Sequence, residues 1–292
     1  MNYLAFDAGG TSVKYGIVNE NGDVSHKGSF KTSASLEAFY EDIETVFTRY
    51  KDIAGIAMSM PGAVACEEGV IYGSSAIDYI HGPNIKKDLE SRLHVRVEME
   101  NDANCAALAE VWQGAAKGTK DSCFIVCGTG IGGAVVKDGQ VHHGLHLHGG
   151  EFGYMIMDFD AAEERFDTWS KVGSTVSIVN QVAKTMNVDP ETIDGRAIFD
   201  HEENPIFKEA IDQFYTTLAV GIYNLQYAYD PEVIVIGGGI SQREDLVDQI
   251  NQRLDVIFAH LPFAHVRPTV KKCLFANDAN MIGATYHFMT RK

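Results

Sequence analysis

Short apolar runs, separated by glycine turns and amphipathic segments, predict an α/β protein. Residues 3–6 form an apolar run that predicts a buried strand, and Asn21-Gly22-Asp23 is a typical hairpin sequence between a second and a third strand. Residues 36–50 carry apolar side chains three or four positions apart, which predicts an amphipathic helix. Residues 53–60 then predict the next strand, which ends at Pro61-Gly62.

The pattern changes from strand to helix around Asn101 and Asp102. Apolar residues alternate over residues 95–99, which predicts a strand, whereas residues 103–112 have helical spacing. Asn101 and Asp102 therefore lie at the strand-to-helix joint, where ligands collect in α/β folds. The alternative is that one of the two only caps the helix, since both residue types are good N-caps.

The second half of the chain repeats the opening pattern of strand, glycine turn and strand. Residues 123–127 are a continuous apolar run, which is typical of a strand buried on both faces. The turn Gly128-Thr129-Gly130-Ile131-Gly132-Gly133 leads into a further strand, whereas a dinucleotide-binding turn would lead into a helix. The remaining predictions are helices at 174–186, 205–229, 246–258 and 279–288, strands at 232–236 and 270–275, and an irregular acidic loop at 158–168.

Three glycine turns have the composition of phosphate or nucleotide contacts. In Asp7-Ala8-Gly9-Gly10-Thr11, the glycines let backbone N–H groups approach an anion, and Lys14 could add positive charge. Asp7 would face phosphates only with a metal ion between them. A simple hairpin turn is the alternative for Gly9-Gly10. Gly237-Gly238-Gly239, after a buried strand, would permit close approach of a base or ribose.

Composition and charge exclude several classes of function. A chain of 292 residues is about right for two α/β lobes, and its formal charge of -16 argues against nonspecific nucleic-acid binding. No signal peptide and no apolar run of membrane-spanning length are present, so no membrane association is expected. The five cysteines are odd in number and mostly lie in apolar segments, which favours a reducing, cytoplasmic location.

Four histidines, His142, His143, His146 and His148, lie in one predicted loop. Such a group invites a metal-site interpretation, but no array of cysteines or carboxylates stands beside it in the sequence. We therefore expect these side chains to be solvated. Glu151, between glycine-rich segments, is a better candidate for a substrate contact, because a carboxylate can accept hydrogen bonds from paired hydroxyl groups.

Taken together, these motifs resemble the ROK family (repressors, open reading frames and kinases) of the actin-like, hexokinase-like superfamily. The resemblance spans nearly the whole chain. It implies an α/β, two-lobed actin-like ATPase fold, built of ribonuclease H-like halves with a cleft between the lobes. Residues 1–116 would form the small N-terminal lobe, joined by the C-terminal helix 278–292, and residues 117–277 the large lobe.

The resemblance also implies a role for each motif. Asp102 would be the general base, and Asp7 would hold Mg²⁺ through water. The residues that would bind the sugar are Pro61, Gly62, Asn101, Asp102, Glu151 and Tyr154. The residues that would bind ATP are Asp7, Gly9, Gly10, Thr11, Lys14, Gly128, Thr129, Gly130, Gly132, Gly133, Gly237, Gly238 and Gly239.

Two departures from the family pattern affect the expected substrate. The family's ExGH motif ends in a histidine that binds the sugar and a structural zinc, but Tyr154 stands here. The CxCGxxGC zinc cluster is missing, and Ser170 stands where the family has a sugar-binding glutamate. No structural zinc is therefore expected, and the chain resembles the β-glucoside kinase branch.

The expected reaction is transfer of the γ-phosphate of Mg-ATP to the 6-hydroxyl of a glucose-like ring, in a β-glucoside such as cellobiose. N-acetylmannosamine kinase and glucokinase are the alternatives within the family. A sugar-responsive transcriptional regulator is the alternative class, but those members carry a helix-turn-helix ahead of the first phosphate motif, and here only a short strand precedes Asp7. The expected partners are a small sugar and Mg-ATP, and family members are often homodimers.

Overall fold

The computed structural model describes residues 1–275 and 277–291, which fold into two compact units. The first unit comprises Met1–Gly118, His143–Gly149 and Leu274–Lys292, and the second comprises Thr119–His142 and Gly150–Cys273. The segment His143–Gly149 thus packs with the first unit, although the predicted division after residue 116 assigns it to the large lobe. Ala276 and Lys292, which fall within the predicted lobe ranges, lie outside the described residues.

The strands and helices alternate along the chain as expected of an α/β protein. The strands are β1 (Asn2–Ala8), β2 (Ser12–Asn19), β3 (Val24–Lys31), β4 (Ile53–Met60), β5 (Ala63–Ala65), β6 (Val70–Tyr72), β7 (Val97–Asn101), β8 (Ser122–Cys127), β9 (Ile131–Lys137), β10 (Gln140–Val141), β11 (Ile156–Asp160), β12 (Arg165–Thr168), β13 (Val233–Gly237) and β14 (Val270–Lys272). The α-helices are α1 (Leu36–Phe47), α2 (Ile85–Leu93), α3 (Asp102–Gln113), α4 (Trp169–Gly173), α5 (Thr175–Met186), α6 (Gly195–Asp200), α7 (Pro205–Tyr229), α8 (Leu246–His260) and α9 (Ala279–Thr290).

Each unit contains a five-stranded sheet with the same arrangement. The first sheet has the order β3-β2-β1-β4-β7, and the second has the order β10-β9-β8-β13-β14. In both, the first three strands are antiparallel and the last two run parallel to the central strand. The repeated strand-turn-strand pattern in the sequence therefore corresponds to a repeated sheet topology, and the predicted α/β fold class is confirmed.

The first sheet is covered by helices on both faces. Phe6 of β1 packs in the cluster that contains Phe39 and Ile43 of α1. Tyr3 is an odd number of positions from Phe6, so its side chain lies on the other face of the sheet. It packs against Phe288 of α9, and the two ring centroids are 5.1 Å apart. Because neither face is open to solvent, both sets of side chains on the central strands are buried.

The structure differs from the sequence prediction between residues 156 and 168. The acidic segment expected to be an irregular loop is instead an antiparallel pair, β11 and β12, with Phe159 opposite Phe166. Both phenylalanine side chains are more than half exposed. Within the described residues, no helix has the length and apolar character needed to cross a membrane.

Helices α3 and α9 approach each other closely at Gly283. A Cβ atom at this position would lie 1.7 Å from the carbonyl oxygen of Cys105 in α3, so only glycine fits. We predict that Gly283→Ala lowers the free energy of unfolding by about 1–3 kcal/mol, because the helices must separate to admit a methyl group. Denaturant unfolding measures this change.

Gly239→Ala is the matched control, since no heavy atom lies within 4 Å of a Cβ there. Its free energy of unfolding should stay within about 0.5 kcal/mol of the original chain. Equal stability of the two variants would contradict the close helix contact.

Candidate active site

Asn101 holds the start of helix α3 and also reaches two neighbouring groups. Its Oδ1 accepts hydrogen bonds from the backbone N–H groups of Ala103 (2.9 Å) and Asn104 (3.1 Å), as an N-cap does. Its Nδ2 donates to the Gly62 carbonyl (3.1 Å) and to Asp102 Oδ1 (3.0 Å). Asn101 is therefore the cap, and Asp102 is the first residue of the helix.

The turn after β4 lies beside this joint because β4 and β7 are parallel neighbours. Met60, the last residue of β4, pairs in register with Asn101. Gly62 then adopts a left-handed φ of +98°, and a Cβ there would lie 2.9 Å from Ile71 and 3.0 Å from the His81 ring. Pro61, Gly62, Asn101 and Asp102, all predicted to bind the sugar, thus come together in the first unit.

The first glycine turn begins at Asp7, one row along the sheet from Met60 and Asn101. Asp7 pairs in register with Ser59, and Ser59 pairs with Glu100. Asp7 Oδ1 accepts hydrogen bonds from Ser59 Oγ (3.2 Å) and Asn280 Nδ2 (2.8 Å), while Lys14 Nζ lies 3.9 Å from Oδ2. The carboxylate is held in place, and Oδ2 lies toward the lysine.

The second glycine turn, in the second unit, is fixed from both sides by hydroxyl side chains. The Gly128 carbonyl accepts from the N–H (2.9 Å) and Oγ1 (2.7 Å) of Thr175. The Ile131 N–H donates to Ser170 Oγ (3.0 Å). Ser170, expected from the sequence to replace the family's sugar-binding glutamate, supports the glycine turn.

The third glycine turn packs directly on the end of β8. Gly238 has a φ of +86°, and a Cβ there would lie 2.2 Å from the carbonyl oxygen of Cys127, the residue before Gly128. The two predicted nucleotide-binding turns of the second unit are therefore adjacent.

Glu151 and Tyr154 lie in the second unit, whereas the other predicted sugar-binding residues lie in the first. Both side chains are exposed, Tyr154 to 74%. Gly153, between them, is buried, and a Cβ there would lie 2.1 Å from the Ile131 carbonyl oxygen. The Glu151-Phe152-Gly153 motif is thus anchored to the second glycine turn.

A buried charged residue, Glu100, lies directly before Asn101 and escaped the sequence prediction. Its side chain is completely buried. Oε1 accepts from the Asn101 N–H (2.7 Å) and Asn104 Nδ2 (3.0 Å). Oε2 lies 2.7 Å from His143 Nε2 and accepts from the Cys66 thiol (3.4 Å).

The expectation that all four loop histidines are solvated is therefore wrong for His143, although His142, His146 and His148 are exposed. Burial opposes ionisation of Glu100, but the hydrogen bond from His143 and the charges of the two nearby histidines lower the pKa of this carboxyl. The hydrogen bond to Glu100 in turn raises the pKa of His143. Burial lowers the pKa of the other histidine, His287.

Known proteins resemble this chain over its full length. A β-glucoside kinase of Listeria innocua is 33% identical and aligns over 99% of this chain and 98% of its own. A ROK family protein of Streptococcus pneumoniae, solved in complex with sucrose, is 36% identical, with a TM-score of 0.92 over 99% of this chain and 98% of its own. A solved protein of Listeria monocytogenes, named as a candidate N-acetylmannosamine kinase, is 31% identical, with a TM-score of 0.89 over 99% of both chains.

The model of the ROK family matches residues 3–291. The motifs named above all lie inside that match, which leaves only the terminal residues outside. The resemblance seen in the sequence is confirmed, and the chain belongs to the ROK family.

Proposed function

We propose that the protein is an ATP-dependent sugar kinase that phosphorylates the 6-hydroxyl of a glucose-like ring. The observation that carries this proposal is the Asn101–Asp102 joint, where one amide group binds both the Gly62 carbonyl and the Asp102 carboxylate. This arrangement presents a carboxylate, an amide and a turn carbonyl together, which are the groups needed to bind sugar hydroxyls and accept a proton. Relatives named as sugar kinases support the same reaction class.

Asp102 acts as the general base in this proposal. The 6-oxygen of the sugar attacks the γ-phosphorus of ATP, its proton passes to the Asp102 carboxylate, and the bond to the β-phosphate oxygen breaks to release ADP. The hydrogen bonds to Asp102 Oδ1 from Asn101 Nδ2 (3.0 Å) and the Ala103 N–H (2.8 Å) fix the carboxylate. The orientation of the base is thus set before the sugar binds.

The glycine turns would bind the nucleotide through backbone N–H groups. In the second unit, Gly128–Gly133 and Gly237–Gly239 lie side by side, which suits neighbouring parts of one ATP molecule. In the first unit, Gly9, Gly10, Thr11 and Lys14 follow Asp7. Mg²⁺, when bound with ATP, neutralises charge on the phosphates, and Asp7 offers the carboxylate oxygen that this cation prefers.

We propose a β-glucoside, such as cellobiose, as the acceptor. Tyr154 presents a ring that is 74% exposed at the position where the family has a zinc-binding histidine, and a second sugar ring could stack on it. The sequence similarity to a β-glucoside kinase and to a protein that binds sucrose supports an acceptor with two rings. N-acetylmannosamine is the second candidate, supported by the relative from Listeria monocytogenes.

Replacing Asp102 by asparagine tests the base. Asp102→Asn keeps size and hydrogen-bonding capacity but cannot accept the proton, so kcat should fall by about 10²–10⁴-fold while sugar affinity is largely kept. Steady-state kinetics and calorimetric titration of the sugar measure the two quantities.

Asp248→Asn is the matched control, because Asp248 also lies in the first turn of a helix, α8, and is exposed. Its kcat should stay at the original value. A near-normal kcat for Asp102→Asn would show that Asp102 is not the base.

The acceptor is tested by comparing kcat/KM for cellobiose, N-acetylmannosamine and glucose. We predict the highest value for cellobiose, and a fall of about 2–10-fold for cellobiose in Tyr154→Ala because ring stacking is lost. Glucose should be affected less by the same change.

Phe159→Ala serves as the control, since Phe159 is a similarly exposed aromatic residue of the same unit, at 65%. It should leave all three values unchanged. A clear preference for either monosaccharide would overturn the β-glucoside assignment and leave the kinase assignment intact.

A further inference from the structure

Three potential metal ligands meet inside the first unit, beneath the Asn101–Asp102 joint. Cys66 Sγ, a carboxylate oxygen of Glu100 and a ring nitrogen of His287 all lie within 4.8 Å of one another, and all three residues are buried. The separations from Glu100 Oε2 are 3.4 Å to Cys66 Sγ and 3.5 Å to His287 Nδ1. Tetrahedral zinc bonds of about 2.0–2.3 Å place neighbouring ligand atoms about 3.3–3.6 Å apart, so these distances already suit one ion.

His143 supplies a fourth ligand on the open side of the group. Its Nε2 lies 3.8 Å from Cys66 Sγ and 2.7 Å from Glu100 Oε2. The second distance is that of a hydrogen bond and must lengthen when an ion enters. The His143 side chain is 30% exposed, which gives it room to turn and gives an ion a path inward.

The ring of His287 has an unmet bonding capacity. The residue is only 8% exposed, yet its Nε2 has no hydrogen-bond partner among the described residues. Its Nδ1 lies 3.5 Å from the Glu100 carboxylate, longer than a normal N–H···O hydrogen bond. Buried polar groups are normally paired, and Nδ1 meets Glu100 only through this long contact. A metal ion would bind at Nδ1, the ring nitrogen that faces Glu100 Oε2, in place of that contact.

The charge and softness of the ligands favour zinc over magnesium. A thiolate and a carboxylate together balance a divalent cation, and sulfur with imidazole selects zinc rather than a hard cation. Cys66 is only 5% exposed, and a thiolate buried in this way needs a cation beside it. The neighbouring guanidinium of Arg291 is already paired with Glu67 and Glu98.

Glu100 connects this group to the joint above it. Oε2 faces Cys66, His143 and His287, whereas Oε1 accepts from the Asn101 N–H and Asn104 Nδ2. An ion bound to Oε2 would therefore immobilise the residue that sets the position of Asn101. We propose that Cys66, Glu100, His143 and His287 form a closed structural zinc site that stiffens the Asn101–Asp102 joint.

This site is separate from the family's cysteine cluster, on which the expectation of no structural zinc was based. Its ligands come from the segment after β5, from β7, from the segment after β10 and from α9. No short motif joins them, so the absence of the CxCGxxGC pattern does not bear on this group.

The test is metal binding by the full chain, stripped with chelator and then titrated with Zn²⁺ against a competing indicator. We expect one zinc per chain. A change in a residue that only supports a metal ligand weakens metal affinity by about 10–100-fold. Cys66→Ser and His287→Gln remove a ligand itself, so each should weaken zinc affinity by more than this. Replacement of zinc by Co²⁺ should give a thiolate-to-cobalt absorption band that Cys66→Ser abolishes.

The matched controls are His142→Gln, an exposed histidine next to His143, and Cys127→Ser, a buried cysteine of the second unit. Both should bind zinc as the original chain does. If circular dichroism shows that a variant at a buried position does not fold, His143→Gln replaces it in the same titration. His143 is partly exposed, and its substitution should also weaken zinc binding.

Absence of stoichiometric binding to the original chain, or a cobalt band that survives in Cys66→Ser, would overturn the proposal. Metal binding is measured without sugar or ATP, so the outcome does not depend on kinase activity.

Discussion

The buried carboxylate of Glu100 is the constraint around which the first unit is organised. Removing a carboxylate from water costs on the order of several kcal/mol unless its oxygens are paired. Here Oε1 binds two groups of the strand-to-helix joint, and Oε2 faces Cys66 and the two histidines. Because these contacts come from segments far apart in the sequence, satisfying one carboxylate brings the segment His143–Gly149 and helix α9 to the end of β7.

The repeated sheet gives each unit an edge at which chain turns collect. Parallel strands end at the same edge, so Asp7, Ser59 and Glu100 form one row across β1, β4 and β7. The corresponding strands of the second unit end at Cys127 and Gly237, where two glycine turns meet. The same topology thus places carboxylates at the sheet edge in one unit and closely packed glycine turns there in the other.

The sequence predicted those parts of the site that depend on local structure. The glycine turns and the Asn101–Asp102 joint follow from a strand, a turn residue and a helix that are adjacent in the chain. Glu100 was missed because Glu98 and Glu100 alternate with apolar residues, as on a strand with one solvent face. Helix α9 covers that face, so both glutamates are buried, and only the folded chain shows this.

The same limit applies to His143 and to the hairpin of β11 and β12. The partners of His143 lie 43 and 77 positions away, so no spacing rule connects them. The sequence predicts a loop at the hairpin because its acidic residues mask the strand pattern. In the structure, Arg165 pairs with Asp158 on the opposite strand and with Asp167 on its own strand.

The central claim is that the carboxylate at the start of α3 directs phosphate to one hydroxyl of a sugar. Phosphorus and proton NMR of the product formed from cellobiose and Mg-ATP tests it most directly. The account predicts one phosphate ester, on the 6-oxygen of the nonreducing ring, formed in equal amount to ADP. Release of ADP without an ester, or an ester on another oxygen, would contradict it.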